Sequence, residues 1–131
     1  MVTPHVSFWI IAGLGLVWNL MGCANFVTQM NADAVAQMPE AYQQIIMARP
    51  LWATVAFGVG VLAGAVGCVF LLLRWRRSMQ VLLVSLVAVA VTAAQVVMAA
   101  SGGTASTLVS LLAAALLFWY STIAARVGWL R

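Results

Sequence analysis

Long apolar runs dominate the chain and alternate with short polar segments. Four runs, at about 7–28, 51–73, 79–100 and 105–125, are each long enough to cross a hydrocarbon core about 30 Å thick. Membrane-spanning β-strands would instead alternate apolar and polar positions over about ten residues. The continuous runs therefore predict an all-α membrane protein, with four transmembrane helices in one bundle and a single domain over residues 1–131.

The longest polar segment, NADAVAQMPEAYQQIIMARP, lies between the first two runs and contains both acidic residues, Asp33 and Glu40. Pro39 suits the first position of a helix, and Glu40 beside it complements the positive end of the helix dipole. Apolar residues then recur at helical spacing. We predict a short amphipathic helix between helices 1 and 2, resting on the membrane surface or capping the bundle.

Composition supports the membrane assignment and excludes other classes. The chain is 66% hydrophobic and only 6% charged, whereas a soluble domain needs far more charge to cover its outside. Its net charge of +4 is carried by arginines that lie beside the apolar runs. Nucleic-acid binding requires many cations on one solvated face, so no nucleic-acid partner is predicted.

The arginines also predict the orientation of the chain. Five of the six fall on one side of the predicted bundle: Arg74, Arg76, Arg77, Arg126 and Arg131. Short arginine-bearing segments stay in the cytoplasm, so the protein is expected in a bacterial inner membrane with both termini cytoplasmic. Arg49 alone lies on the opposite side. The arginines of the RWRR segment at 74–77 are also expected to contact anionic lipid headgroups, at about 1 kcal/mol per residue.

The stretch NLMGCANF, residues 19–26, has two incompatible interpretations. Leu20 to Cys23 resemble the site where a bacterial lipoprotein signal peptide is cut, but residues 1–6 lack the basic n-region that such a peptide needs. We therefore place Cys23 inside the first membrane helix. Cys68 falls at a different depth of the second helix, so no disulfide between the two is expected.

Small residues share one face of the second run, where they favour close helix contact in lipid. The helix-packing candidates on this face are Ala56, Gly60, Gly64 and Gly67, and the second and third of them form a GxxxG pair. The motif does not distinguish packing inside the bundle from a homodimer seam or contact with a larger membrane complex.

Polar residues on the other runs form a candidate solute pathway: Trp18, Asn19, Asn25, Thr92 and Gln95. Amides donate and accept hydrogen bonds and an aromatic ring stacks on an apolar sugar face, so this set suits a small neutral solute, which could be sugar-like. The alternative is that these groups only tie helices together, each contributing about 0.6 to 2 kcal/mol.

Ionisable and catalytic groups are missing from the predicted spans. No Asp, Glu, Lys, Arg or His falls inside a run, so proton relays and charged substrate clamps are not expected. His5 precedes the first run without a cluster of ligands, and no nucleophile has a base to activate it. We predict that the chain is not an enzyme and carries no metal or other cofactor.

Part of the sequence resembles a known family. WNLMG at 18–22, MPEAYQQ at 38–44 and ARPLWATVAFGVGVLAGAVGCVFLLLR at 48–74 resemble small four-span bacterial inner-membrane proteins that are often labelled sugar transporters. The resemblance covers roughly the first 95 residues and implies the four-span fold and, by that label, transport. The RWRRSM segment is more basic than the corresponding connection in the family. The alternative function is that of a structural or accessory subunit of a larger membrane complex, without a ligand of its own.

Overall fold

The computed structural model describes residues 2–99 and 104–131. Within them the chain forms six α-helices: α1 (Val6–Met30), α2 (Ala32–Ala36), α3 (Glu40–Ala48), α4 (Leu51–Leu72), α5 (Arg77–Met98) and α6 (Thr104–Arg126). Four of them, α1, α4, α5 and α6, are long and apolar enough to cross a membrane. This confirms the prediction of an all-helical bundle with four spans. The end of the third predicted span at residue 100 and the connection at 101–103 lie outside the described residues.

Polar side chains and prolines set the helix boundaries near the first connection. His5 caps α1, because its Nδ1 accepts a hydrogen bond from the Ser7 amide at 3.2 Å. Asn31 ends α1 and caps α2, since its Oδ1 accepts from the amides of Asp33 and Ala34 at 3.0 and 3.3 Å. Helix α2 was not predicted from the sequence, although an Asn followed by an acid two residues later is a recognisable start signal.

The predicted short amphipathic helix is present as α3. Pro39 is its N-cap rather than its first residue, and Pro50 likewise immediately precedes α4. The Gln43 side chain links α3 to the segment before it, donating from Nε2 to the carbonyls of Ala36 and Met38 at 3.2 and 2.8 Å. The α2–α3 segment is therefore an ordered connection.

Helix α4 is the centre of the bundle. It packs most extensively on α5 and also on α1, and α6 packs on α5. Helices that follow one another in the chain are thus neighbours in space, which is the usual result of short connections. A hydrogen bond from Ser85 Oγ to the Gly60 carbonyl, at 2.7 Å, joins α5 to α4 in the buried interior. Contact between backbone and hydroxyl requires the close approach that glycine permits.

The two ends of the bundle differ in packing. We call the end with Arg74, Arg76, Arg77, Arg126 and Arg131 the arginine end, and the opposite end, with α2 and α3, the α3 end. The buried residues of α1 and α6 all lie in the halves toward the arginine end; they are Phe8, Ala12 and Gly15 in α1 and Leu117, Ser121 and Ala124 in α6. Both helices are therefore most deeply packed at the arginine end, although α1 also contacts α4 farther along, where Val61 lies against Gly22 and Phe26 against Gly58.

Backbone hydrogen bonds close the arginine end. The C-terminal segment 127–131 folds back on the turn between α4 and α5, where the Arg76 amide donates to the Arg131 carbonyl at 2.9 Å and the Arg131 amide donates to the Arg74 carbonyl at 2.6 Å. Arg74 adopts the left-handed conformation, with φ 61°. Its side chain donates from Nε to the Trp129 carbonyl at 2.7 Å and from Nη2 to the Val2 carbonyl at 3.0 Å.

Replacement of Arg74 separates its backbone strain from its hydrogen bonds. Arg74→Ala keeps the left-handed cost of a residue with a Cβ and loses both side-chain bonds, whereas Arg74→Gly loses the same bonds but relieves the strain. We expect the glycine variant to be more stable by about 1 kcal/mol. Detergent unfolding compares the two, and hydrogen exchange should rise at residues 127–131 in both. Equal stability of the variants would contradict the left-handed conformation.

Candidate functional site

Asn19 lies between α1 and α4 near the middle of the bundle. Its Nδ2 donates to the Gly15 carbonyl at 2.8 Å and lies 3.9 Å from Cys68 Sγ. On the other side of the amide, Oδ1 lies directly against Gly64, in the space that a Cβ at that position would occupy. The amide of Asn19, which was predicted to line a solute pathway, therefore occupies the space between α1 and α4 that the absence of a side chain at Gly64 leaves.

The other two candidates on α1 lie toward its surface. Trp18 is 44% exposed, so its ring is not enclosed by the bundle. Asn25 is also exposed, and its Oδ1 accepts a hydrogen bond from Gln29 Nε2 at 3.2 Å. The spacing of Asn25 and Gln29, four residues apart on one helix, accounts for this contact.

The candidates on α5 are buried on a different helix. Thr92 Oγ1 donates to the Ala88 carbonyl of its own helix at 3.0 Å. Gln95 is only 9% exposed, and its side-chain amide makes no hydrogen bond to any residue that the structure describes. The structure thus places Trp18, Asn19 and Asn25 on α1, and Thr92 and Gln95 on α5, which packs separately against α4.

Three of the four helix-packing candidates on α4 lie against other helices of their own chain. Gly60 approaches Val89 and Ala88 of α5, Gly67 approaches Leu82 of α5, and Gly64 approaches Asn19 of α1. All three glycines are buried, while Ala56 is half-buried. The small-residue face therefore serves contacts with both neighbouring helices inside the bundle.

The three arginines of the turn between α4 and α5 have different surroundings. The Arg74 guanidinium is bound to two backbone carbonyls, as described above, and is partly buried. Arg76 and Arg77 are exposed at the arginine end. Their side chains are the two in this turn that remain available for lipid headgroups.

A polar network at the α3 end was not predicted. Arg49 Nη1 donates to Gln29 Oε1 at 2.9 Å, and the guanidinium carbon lies 5.4 Å from the centroid of the Phe57 ring. Gln29 in turn donates to Asn25, so the three side chains form one chain of hydrogen bonds. The sequence signal was the single arginine on the side opposite to the others, but nothing in the spacing indicates which residue it contacts.

The surface of the described residues includes two cavities that bear on ligand binding. One, of about 280 Å³, lies at the α3 end between α1, α2 and α3. The other, of about 390 Å³, is an apolar groove between α4 and α5, lined by Val59, Leu83, Val84, Val87 and Ala88. Neither of these two cavities is lined by any of the five solute-pathway candidates.

The fold defines a class: a multi-pass α-helical protein whose four longest helices are each able to span a membrane. Compared with protein-family models, with curated proteins and with solved structures, the chain has no significant match. The resemblance to four-span proteins labelled sugar transporters therefore stays a prediction from the quoted motifs.

Proposed function

We propose that this chain is a structural or accessory subunit that packs against another membrane protein through α6. The observation that carries the proposal is the half of α6 nearest the α3 end. Small residues, which favour close helix contact in lipid, recur there at Ala105, Ser106, Ser110 and Ala113, yet none of the residues from 104 to 116 is buried in this chain. This part of α6 has the composition of a helix interface that its own bundle covers only in part.

The internal polar groups also support this proposal. Asn19, Ser85 and Thr92 all form hydrogen bonds within the bundle, to helix carbonyls of α1, α4 and α5. The Ser85 bond joins α5 to α4, whereas Asn19 and Thr92 donate to carbonyls four residues earlier on their own helices, so all three groups have partners inside the chain and need none from a solute.

Site-specific photo-crosslinking in native membranes tests the proposal. A photoreactive residue at Leu112 of α6, which is 60% exposed, is expected to give a discrete protein adduct of constant mass. The matched position is Val87 of α5, 56% exposed, where lipid adducts are expected. Lipid adducts alone at Leu112, with the same yield as at Val87, would contradict an accessory role through α6.

The resemblance to four-span proteins labelled sugar transporters makes a neutral-solute pathway the second candidate. Gln95 is the observation that favours it, because the residue is largely buried and its side-chain amide has no hydrogen bond among the described residues. A hydroxylated solute passing between α4 and α5 could supply these partners. In that case Thr92, one turn away on the same helix, would contribute a second polar contact.

Thiol labelling distinguishes the two candidates, because Cys68 is fully buried beside Asn19 in the middle of the bundle. In a Cys23→Ser background, we expect no reaction of Cys68 with a membrane-impermeant maleimide from either side. Gln44→Cys, on the exposed side of α3, is the positive control. Labelling of Cys68 would show that water reaches the centre, and would favour the solute pathway over a packed accessory subunit.

The orientation belongs to the same proposal. Five arginines at one end, against Arg49 near the other, support a bacterial inner-membrane location with the arginine end and both termini in the cytoplasm. The Gln44→Cys variant reports this directly. We expect this cysteine to be labelled in intact cells. Labelling only after the cells are opened would mean that the orientation is the opposite of the proposed one.

A further inference from the structure

Arg49 departs from the charge pattern of the protein. It lies between α3 and α4, at the end of the bundle opposite to the other five arginines. Its side chain is half-buried, with one guanidinium nitrogen on Gln29 and one face toward Phe57. A half-buried charge that does not follow the usual orientation rule calls for a local explanation.

The charge of Arg49 has no acidic partner. Of the residues described, none places a carboxylate within 4.0 Å of the guanidinium, and the hydrogen bond to Gln29 involves a neutral amide. Burial lowers the pKa of Arg49 from its ordinary value, because desolvation disfavours the charged form. An arginine nevertheless stays protonated in proteins, and its guanidinium has five N–H donors. Donors and charge therefore remain for an anion.

The cavity at the α3 end is connected to this cation through Gln29. Its volume is about 280 Å³, and apolar side chains form most of its wall: Met30, Val35, Ile46 and Met47. Gln29 and Gln43 are the two polar residues in its lining. Gln29 belongs to both features, since it lines the cavity and accepts the hydrogen bond from Arg49. A positive charge is thus one hydrogen bond away from an apolar cavity.

A half-buried cation close to an apolar cavity favours an amphiphilic ligand with an anionic head group. A soluble anion would make no contact with the apolar wall, and a zwitterionic lipid, whose phosphate is balanced by its own ammonium, would leave the net charge of Arg49 uncompensated. A guanidinium binds phosphate oxygens through parallel hydrogen bonds, more specifically than an ammonium does. The site also lies at the end of the spans, where phospholipid headgroups meet the acyl region.

We propose that Arg49, Gln29 and this cavity bind one anionic phospholipid from the membrane leaflet at the α3 end. The lipid phosphate lies on the Arg49 guanidinium, and the upper part of an acyl chain fills the space between Val35, Ile46 and Met47. This site is separate from the headgroup contacts of Arg76 and Arg77 at the arginine end. It does not depend on whether the chain is an accessory subunit or a solute binder.

Photo-crosslinking with a defined lipid tests the site. The full chain is placed in phosphatidylcholine vesicles that contain a small fraction of phosphatidylglycerol with a photoreactive acyl chain, and peptides covering residues 30–47 are analysed for lipid adducts. We expect adducts in the wild type and about a fivefold loss in Arg49→Gln, the factor that corresponds to about 1 kcal/mol for one arginine. Arg77→Gln, at the other end, should leave these adducts unchanged.

Further variants and probes keep the outcome unambiguous. Met47→Trp fills the mouth of the cavity at a residue that is 77% exposed, so it should lose the adducts while the fold and Arg49 are retained. Equal adducts in Arg49→Gln and wild type, or equal adducts from photoreactive phosphatidylcholine, would overturn the proposal. Competition by millimolar inorganic phosphate would overturn it in another way, because it would assign the cation to a soluble anion.

Discussion

Replacing Phe8 by alanine is expected to destabilise the bundle by about 3–5 kcal/mol, the range for a fully buried aromatic side chain. Phe8 has no exposed surface and lies at the arginine end among three aromatic rings. The nearest centroids are those of Trp9 at 5.3 Å and Trp129 at 5.8 Å, both edge to face. The loss combines a cavity with the removal of ring contacts between α1, α6 and the C-terminal segment. Unfolding by sodium dodecyl sulfate from mild detergent measures it.

Ile10→Ala is the matched control on the same helix. Ile10 is 55% exposed to the lipid side, where a shorter side chain leaves no cavity in the protein. Its cost should stay below about 1 kcal/mol. If the two variants lost similar amounts of stability, Phe8 would not be the main packing residue of this part of α1. The side of α1 that carries Ile10 would then also be covered by protein.

Gly64→Leu is the second change with a large expected effect. We expect the free energy of unfolding to fall by about 2–3 kcal/mol, because the new side chain overpacks the site and breaks the Asn19 contacts. A Cβ at this position overlaps the Asn19 amide, so α1 must move away from α4 or Asn19 must leave the Gly15 carbonyl. Thermal unfolding in detergent reports the stability. Increased accessibility of Cys68, which lies beside Asn19, would show that the same seam has opened.

Gly13→Leu provides the comparison. A Cβ at Gly13 meets nothing within 4 Å, so the added side chain points into open space. Both changes replace a helical glycine and gain the same roughly 1 kcal/mol of helix propensity. The difference between them therefore isolates the packing at Gly64. If Gly64→Leu proved as stable as Gly13→Leu, the close contact between α1 and α4 would be refuted.

The spans were predictable because their signal is long and nearly independent of tertiary contacts. A hydrocarbon core requires about 20 apolar residues in a row, and the predicted ends lie within two residues of the observed ones wherever the structure describes both. Short helices were harder to predict from the sequence. Helix α2 has five residues, too few for a periodic pattern, and depends on the Asn31 cap alone.

The partners of the polar side chains could not be predicted in the same way. Helical periodicity places Asn19 and Trp18 on neighbouring parts of α1, but it does not reveal which helix each part meets. The structure turns Asn19 toward Gly64 and leaves Trp18 largely exposed. The same limit applies to Arg49, whose contact with Gln29 depends on how the α2–α3 segment returns to the bundle.

The unequal ends of the bundle have a mechanical consequence. The turn after α4, the segment near Val2 and the C-terminal residues are joined through Arg74, so the arginine end works as a fixed pivot. Helix α1 stays in contact with α4 beyond its middle, where Val61 lies against Gly22 and Phe26 against Gly58, whereas α6 has no buried residue between 104 and 116. The deformation expected to cost least is therefore an outward bend of this half of α6. The lateral pressure of the surrounding leaflet then sets how far this half of α6 stands from its neighbours, so the bundle is easier to deform at one end than at the other.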